Sequence, residues 1–161
     1  MFPITIPTLV TEEVYQRFAW SVFLRGKRFL LNIIILIGIL SLYLIFLPDN
    51  LKRFSFFTVL FISLVTFSAM YFGMNYQIKR AYQKNPLFQN MEVTLIFDRE
   101  AFIARNIRGE FHYTYDDIVK VIRTKRDFYI LIGENTGFAI ENKNCTPEAL
   151  EFLLELHIEN M

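Results

Sequence analysis

The sequence lacks most of the residues and motifs on which enzymes and disulfide-stabilised domains depend. It contains one cysteine, Cys145, so no intrachain disulfide can form. Cys145 precedes a predicted helix, and a thiol at the N-terminus of a helix can have a lowered pKa. The sequence, however, shows no candidate general base at a recognisable spacing from Cys145. The short motifs of zinc proteases, thiol redox centres, nucleophile elbows and nucleotide-phosphate loops do not occur along the chain. We therefore predict that the protein is not an enzyme and needs neither a cofactor nor a metal.

Charge of one sign is also lacking, because the formal net charge is only +1. A nucleic-acid-binding protein usually presents a strong basic field to the phosphate backbone. The sequence therefore predicts that nucleic acid is not a partner.

Hydrophobic residues are abundant, at 53% of the chain, and they are concentrated in two uncharged runs. The first run, residues 29–47, would span roughly 28 Å as a helix, and the second, residues 54–76, roughly 34 Å. Six residues, PDNLKR, separate them. Neither run has the polar face that a buried helix of a soluble bundle needs. The pattern therefore predicts a membrane α-helical hairpin over residues 29–76.

The residues that flank the two runs predict the orientation of this hairpin. Seven basic residues flank the two runs on their outer sides, and two lie in the loop between the runs: Arg17, Arg25, Lys27, Arg28, Lys79, Arg80 and Lys84 on the outer sides, Lys52 and Arg53 in the loop. The positive-inside rule then predicts a multi-pass protein of the bacterial cytoplasmic (inner) membrane with both termini cytoplasmic. These charges can also attract anionic lipid, although setting the topology is sufficient to explain them.

Small residues form a stripe within the second run, at Thr66, Ala69 and Gly73. Such a stripe allows another helix to approach closely, so an oligomer is possible through this face. Neither run contains an ionisable Asp, Glu, Lys, Arg or His residue, which argues against a transporter or a pump.

Residues 1–28 form an N-terminal segment with an extended part and a helical part. Residues 4–10 carry β-branched side chains and a proline, which suits an edge strand, and we predict that they return to join the C-terminal sheet. Thr11 is a suitable N-cap for the helix that follows, and Gly26 allows the chain to turn before the first run. This helix either lies in the membrane interface or packs on the cytoplasmic domain.

Residues 85–161 form the predicted cytoplasmic domain. Short alternating stretches with tight turns indicate about five antiparallel strands. An amphipathic helix follows Thr146 and Pro147, which are suitable N-cap and N1 residues. The predicted fold class is therefore α+β, with an antiparallel pleckstrin-homology-like sheet closed by a C-terminal amphipathic helix.

The stretch HYTYDDIVKV, residues 112–121, suggests an acid–base site at first sight. Strand alternation, however, places His112 opposite the aromatic residues Phe111, Tyr113 and Tyr115, which are predicted to face the core. Asp116 and Asp117 are adjacent, so they cannot share one face of a strand or a helix. The stretch is better explained as strand, capped corner and strand, with Tyr115 and Ile118 in the core.

Basic residues in two turns of the domain are the candidate binding site. Arg123, Lys125 and Arg126 lie in one turn, and Arg105 and Arg108 lie in or near an earlier one. Close to the inner leaflet they can contact anionic lipid headgroups or a protein partner. The alternative is that they keep a hairpin tip soluble and protect the sheet edge.

Three segments carry a resemblance to a known family: YDDIVKV (residues 115–121), FYILI (128–132) and FAIENKNCTPEAL (138–150). Placed after two spans, they resemble the YcxB-like family of bacterial membrane proteins. That family tends to carry Trp where this chain has Tyr115, and a basic residue where it has Lys143. The resemblance extends over most of the chain. It implies a membrane-tethered, pleckstrin-homology-like domain of poorly defined function with no catalytic residues.

The features together predict an integral membrane protein that acts as a membrane-tethered cytoplasmic binding or regulatory module. Its partners would be the lipid bilayer, anionic headgroups or another protein. A functional alternative, based on the small size, the two spans and the lack of catalytic motifs, is an immunity protein that neutralises a cognate toxin at the membrane.

Overall fold

The computed structural model describes residues 2–46, 48, 52–86 and 89–159, which form strands and helices along most of their length. In chain order these are β1 (Ile4–Val10), α1 (Glu12–Arg25), α2 (Lys27–Phe46), α3 (Lys52–Lys84), β2 (Met91–Phe97), β3 (Ala101–Asn106), β4 (Gly109–Thr114), β5 (Lys120–Arg123), β6 (Asp127–Leu131), β7 (Gly137–Glu141) and α4 (Pro147–Glu159). Most of the predicted loop between the apolar runs, including Asp49, lies outside the described residues, as do the side chains of Lys52 and Arg53.

The N-terminal strand is part of the C-terminal sheet, as predicted. β1 pairs antiparallel with β2 along its whole length, from Ile4 opposite Phe97 to Val10 opposite Met91. Its sheet has the order β1-β2-β3-β4, so β1 is an edge strand. An edge position tolerates Pro7, which has no backbone N–H to donate. Alternate side chains of β1 point inward, and Ile6 is fully buried.

The remaining strands form a second antiparallel sheet with the order β5-β6-β7. The sequence predicted about five antiparallel strands in one sheet, whereas six described strands follow α3 and divide between two sheets. The division occurs at a 3₁₀ turn, Tyr115–Asp117, where the backbone bonds locally, with Ile118 N–H donating to Tyr115 O. Thr8 links the two sheets directly, since its hydroxyl donates to Ala139 O at 2.5 Å.

One hydrophobic core lies between the sheets and beneath α4. Phe97, Phe102 and Ile130 are fully buried there, and α4 contributes Leu153, which is also fully buried. The ring of Phe152 lies 5.1 Å from that of Phe97. The predicted amphipathic helix is thus present, and its apolar face packs on the sheets.

The helices between β1 and β2 begin and bend where the sequence indicates. The Thr11 hydroxyl accepts the Val14 N–H at 3.2 Å, which caps α1. Gly26 has an extended backbone, which separates α1 from α2. α3 runs without interruption past the predicted end of the second run at residue 76. Its last turns belong to the domain, because Ile78 and Tyr82 are buried there.

The described residues include one helix that is long and apolar enough to cross a membrane, Phe57–Lys84 within α3. The described apolar part of α2, Phe29–Tyr43, is shorter. Apolar side chains of both helices point outward, including Ile34 at 65% exposed and Phe72 at 70%. By length and composition, therefore, a membrane span is indicated for α3, which contains the second apolar run, and not for α2, which contains most of the first.

Candidate functional site

A buried ion pair joins α1 to the three-stranded sheet. Arg17 donates to both carboxylate oxygens of Asp127, from Nε at 2.8 Å and from Nη2 at 3.1 Å. Nη2 also donates to Glu141 at 2.8 Å, and Nη1 donates to Glu13 at 2.7 Å. Asp127 is only 2% exposed, and it also accepts the Tyr129 hydroxyl at 2.9 Å. Several donors therefore satisfy a carboxylate that would otherwise be costly to bury.

Two members of this network, Arg17 and Tyr129, keep their protons near neutral pH. The hydrogen bond with Asp127 holds the pKa of Arg17 above its ordinary value. Burial, followed by the hydrogen bond to Asp127, raises the pKa of Tyr129 to about 12. Neither group exchanges protons between pH 5 and 8, so the two side chains connect α1 to the sheet in the same protonation state over this range.

A groove of about 660 Å³ opens beside this ion pair, between α1, α3 and the β5–β6 turn. We call it the Trp20 groove, and its lining includes Trp20, Leu24, Tyr71, Lys125 and Arg126. Trp20 stacks on Tyr71 with ring centroids 5.6 Å apart. The groove therefore combines an aromatic wall on the helices with two cations on the sheet.

Hydrogen bonds to one residue hold both Trp20 and the neighbouring turn of α1. Asn75 on α3 accepts the Trp20 indole N–H at 2.9 Å and the Gln16 amide at 2.6 Å. Because α1 and α3 are tied together at this point, the aromatic wall of the groove has a fixed position.

The β5–β6 turn, which carries the cations, is held by its own backbone. Two hydrogen bonds between Thr124 and Asp127 close the turn. The Thr124 N–H donates to Asp127 O at 2.9 Å, and the Thr124 hydroxyl accepts the Asp127 N–H at 2.9 Å. Asn142 donates its backbone N–H to Arg126 O at 2.9 Å and its side-chain amide to Lys125 O at 3.3 Å. The backbone is thus fixed while the Lys125 and Arg126 side chains remain exposed.

The five predicted binding residues do not form one cluster. Lys125 and Arg126 line the Trp20 groove, and Arg123 is exposed on the adjoining strand β5. Arg105 and Arg108 belong to the β3–β4 hairpin of the other sheet, where Arg105 forms an ion pair with Glu110 at 2.6 Å. Arg108 lines a separate cavity between the sheets.

The Arg17–Asp127 pair was not predicted from the sequence. Arg17 was counted only among the residues that set topology, and Asp127 was given no role. One signal was available, because Asp127 directly precedes the apolar strand residues FYIL, where an uncompensated charge is unfavourable. The partner could not be read, since 110 positions separate the two residues.

The HYTYDDIVKV stretch forms the predicted capped corner. Asp117 accepts the Thr114 N–H at 2.8 Å and the Thr114 hydroxyl at 3.0 Å. Ile118 is buried, and Tyr115 is half-buried, with its hydroxyl donating to Asp98 O at 2.6 Å. His112 and Asp116 are exposed. The stretch therefore brings no histidine and carboxylate together.

Cys145 is half-buried, and its thiol donates to Glu141 O at 3.5 Å. Burial raises its pKa to about 11, the opposite of the lowering that a helix N-terminus can cause. Among the described residues there is no group of three or more His, Cys, Asp or Glu side chains that could hold a metal ion.

Comparison with known proteins finds one family. A family model described as YcxB-like protein matches residues 97–156. The match runs from the end of β2 through most of α4, so the predicted resemblance is confirmed for this region and does not extend to β1 or to the three preceding helices. No curated protein and no solved structure matches the chain.

Replacing Asp127 with Ala would test the buried ion pair. It would remove the shared partner of Arg17 and the Tyr129 hydroxyl while Arg17 keeps Glu13 and Glu141, and we expect the free energy of unfolding to fall by about 1–3 kcal/mol. The measurement is calorimetric unfolding of the full chain in phosphatidylcholine nanodiscs. The matched control is Glu13→Ala, which removes an exposed partner of Arg17 and should cost less than about 1 kcal/mol. Equal effects of the two substitutions would contradict the assignment.

The reactivity of Cys145 should follow its raised pKa. The rate of alkylation by iodoacetamide in the folded protein is expected to reach half its maximum near pH 11, whereas the unfolded chain should reach half its maximum rate near pH 9. Because the folded thiol keeps its proton to the higher pH, its contribution to stability is lost as pH rises from about 9 to about 11. Cys145→Ser provides the unreactive control. A plateau in the alkylation rate below pH 9 in the folded protein would contradict this prediction.

Proposed function

We propose that the protein is a membrane-anchored binding module whose Trp20 groove recognises the headgroups of anionic phospholipids. The observation that carries the proposal is the composition of this groove. It combines Lys125 and Arg126, both exposed, with Trp20 and Leu24 on α1 and with Tyr71 in the candidate span itself.

The chemistry of the groove suits the boundary between membrane and water. Trp and Tyr side chains favour this depth, and each Lys or Arg near an anionic surface contributes about 1 kcal/mol of attraction. Asp127, which also lines the groove, has its charge balanced by Arg17. Arg17 is shared with Glu13 and Glu141, and the cations of the lining outside this network are Lys125 and Arg126.

The pairing of β1 with β2 supports a two-span hairpin. Val10 and Met91 are opposite each other, so the chain that leaves the domain after β1 returns to the same place before β2. If α3 crosses the membrane alone, β1 and β2 would be on opposite sides and could not pair. A return crossing by α2, which has 20 helical residues or roughly 30 Å, removes this conflict.

The excess of basic residues outside the two runs supports the orientation with both termini cytoplasmic, as in a bacterial inner-membrane protein. Two antiparallel sheets with α4 packed on their common core support a pleckstrin-homology-like closure of the domain. Thr66 and Ala69 are exposed on α3, which supports contact between α3 and a helix of a second copy.

The groove contains the only tryptophan of the chain, so Trp20 fluorescence reports directly on its occupancy. We expect a saturable change when the full chain in phosphatidylcholine nanodiscs is titrated with dihexanoyl phosphatidylglycerol at low salt, and none with dihexanoyl phosphatidylcholine. The double variant Lys125→Ala/Arg126→Ala should bind about tenfold more weakly or worse.

The matched control is Lys120→Ala/Arg99→Ala, which also removes one lysine and one arginine. Both residues are exposed and neither lines the groove, so binding should be unchanged. Equal responses to the two lipids, or equal loss in both double variants, would disprove lipid recognition. Displacement of the lipid by a polyglutamate peptide of higher affinity would assign the groove to an acidic protein instead.

The topology has a separate test. Green fluorescent protein fused after residue 161 should fluoresce, and alkaline phosphatase at the same position should be inactive, because the C-terminus is proposed to be cytoplasmic. Alkaline phosphatase inserted between residues 48 and 53 should be active. An inactive loop fusion together with an active C-terminal fusion would contradict the orientation.

The immunity function stays a prediction, since no contact or charge pattern of the described residues specifically favours it. Evidence for this function would be that expression of the protein protects a cell from the product of a neighbouring toxin-like gene. Protection that persists in the Lys125→Ala/Arg126→Ala variant would separate that function from lipid recognition.

A further inference from the structure

A second cavity, of about 440 Å³, lies between the two sheets on the side that α1 and α3 cover. We call it the intersheet cavity. Its walls are mostly apolar and come from both sheets and both helices: Val93, Ala104 and Tyr113, Phe138 and Ala139, Phe18 and Tyr82. Its size is within the range of about 300–1,000 Å³ that is typical of small-molecule sites.

Two of the hydroxyl groups in the lining, those of Tyr82 and Thr8, already have partners. The Tyr82 hydroxyl donates to Val10 O and accepts the Asn90 N–H, both at 3.0 Å. The Thr8 hydroxyl donates to Ala139 O. These walls therefore offer a ligand mainly apolar contact, which favours a hydrocarbon chain over a sugar or a nucleotide.

The polar part of the lining is on the exposed side of the cavity. Arg108 is the one charged residue in the described lining, and the amides of Asn85 and Asn135 accompany it. All three residues are exposed. The backbone of Arg108 has a fixed position, because its N–H donates to Asn106 Oδ1 at 2.8 Å within the β3–β4 turn. Arg108 takes part in another interaction as well, and its positive charge is complementary to an anionic head placed beside it.

The exposure of Phe111 is a further observation that favours a ligand in this cavity. Strand alternation predicted that it would face the core, but its side chain is 48% exposed and lines the intersheet cavity. A ring that is half in water at the edge of an apolar cavity would gain from a hydrocarbon partner. An occupant with a hydrocarbon chain and an anionic head would therefore explain the exposure of Phe111, and it would also fit the apolar walls and Arg108.

We propose that the intersheet cavity binds a single-chain amphiphile with a carboxylate head, of the fatty-acid class. The chain lies against the apolar walls and the carboxylate lies at Arg108. Its volume of about 440 Å³ is in the lower part of the range for small-molecule sites, which limits the occupant to a small amphiphile. This size favours one acyl chain over the two chains of a phospholipid. The proposal is independent of lipid recognition at the Trp20 groove.

A palmitate analogue with a diazirine on its chain can test the site in the full protein. The protein is reconstituted in phosphatidylcholine nanodiscs, irradiated with the probe, and its labelled residues are mapped by mass spectrometry. We expect labels on both walls of the cavity, at Phe111 on β4 and at Phe138 on β7. Palmitate should displace the probe, and hexadecanol, which has the same chain without the charge, should displace it at least about tenfold less well.

Two variants test the two halves of the site. Arg108→Gln should reduce labelling about tenfold and remove the preference for palmitate over hexadecanol. Ala81→Phe, at an exposed position of α3 that lines the cavity, should reduce labelling by filling the space while Arg108 is unchanged. The control Arg99→Gln removes an exposed arginine from the β2–β3 turn and should leave labelling as it is.

Labels restricted to the apolar parts of α2 and α3 would overturn the proposal, because the probe would then occupy only the membrane. Equal displacement by palmitate and hexadecanol in the unmodified protein would also overturn it, because Arg108 would then give no selectivity. These outcomes leave the Trp20 fluorescence response untouched, so failure of this proposal is distinguishable from failure of lipid recognition at the Trp20 groove.

Discussion

The antiparallel pairing of β1 with β2 is the constraint on which the rest of the structure depends. It joins the beginning of the chain to a strand that follows three helices, and it brings Ile6 into the core of the domain. α1 starts directly after β1, and α3 ends a few residues before β2, so both helices are held against the sheets at one end. The Trp20 groove and the intersheet cavity exist because this pairing keeps the helices beside the sheets.

α1 is the element that connects the other parts. Its Arg17 forms the buried ion pair with Asp127, its Trp20 stacks on Tyr71 of α3, and its Phe18 ring lies 5.5 Å from that of Tyr129. A buried ion pair contributes less to net stability than its short distances suggest, because both charges lose water. Its geometry is demanding, however, and it fixes how α1 lies on the three-stranded sheet. Of the two predicted places for this helix, packing on the domain is the one that these contacts support.

Local signals in the sequence predicted local structure well. The Thr11 cap, the bend at Gly26, the corner capped by Asp117 and the start of α4 each depend on neighbouring residues, and all are present. The return of β1 was predicted from its β-branched composition and from the need for another strand. The Arg17–Asp127 pair, the division into two sheets and the exposure of Phe111 were missed, because each depends on residues far apart in sequence. The five basic residues looked like one cluster along the chain, and the two sheets separate them.

The junction between β1 and β2 gives the domain an unusual relation to its helices. Val10 and Met91 are opposite each other, Asn90 has a positive φ of 52°, and its N–H donates to Val10 O at 3.1 Å. Asn in this conformation is common in the tight turns of β-hairpins. In architectural terms β1 and β2 are one hairpin, and the helices are an insertion at its turn. The sheets would remain a continuous unit if the insertion were replaced by a short turn, and a helical hairpin placed at such a tip need not disturb a domain that encloses its own core.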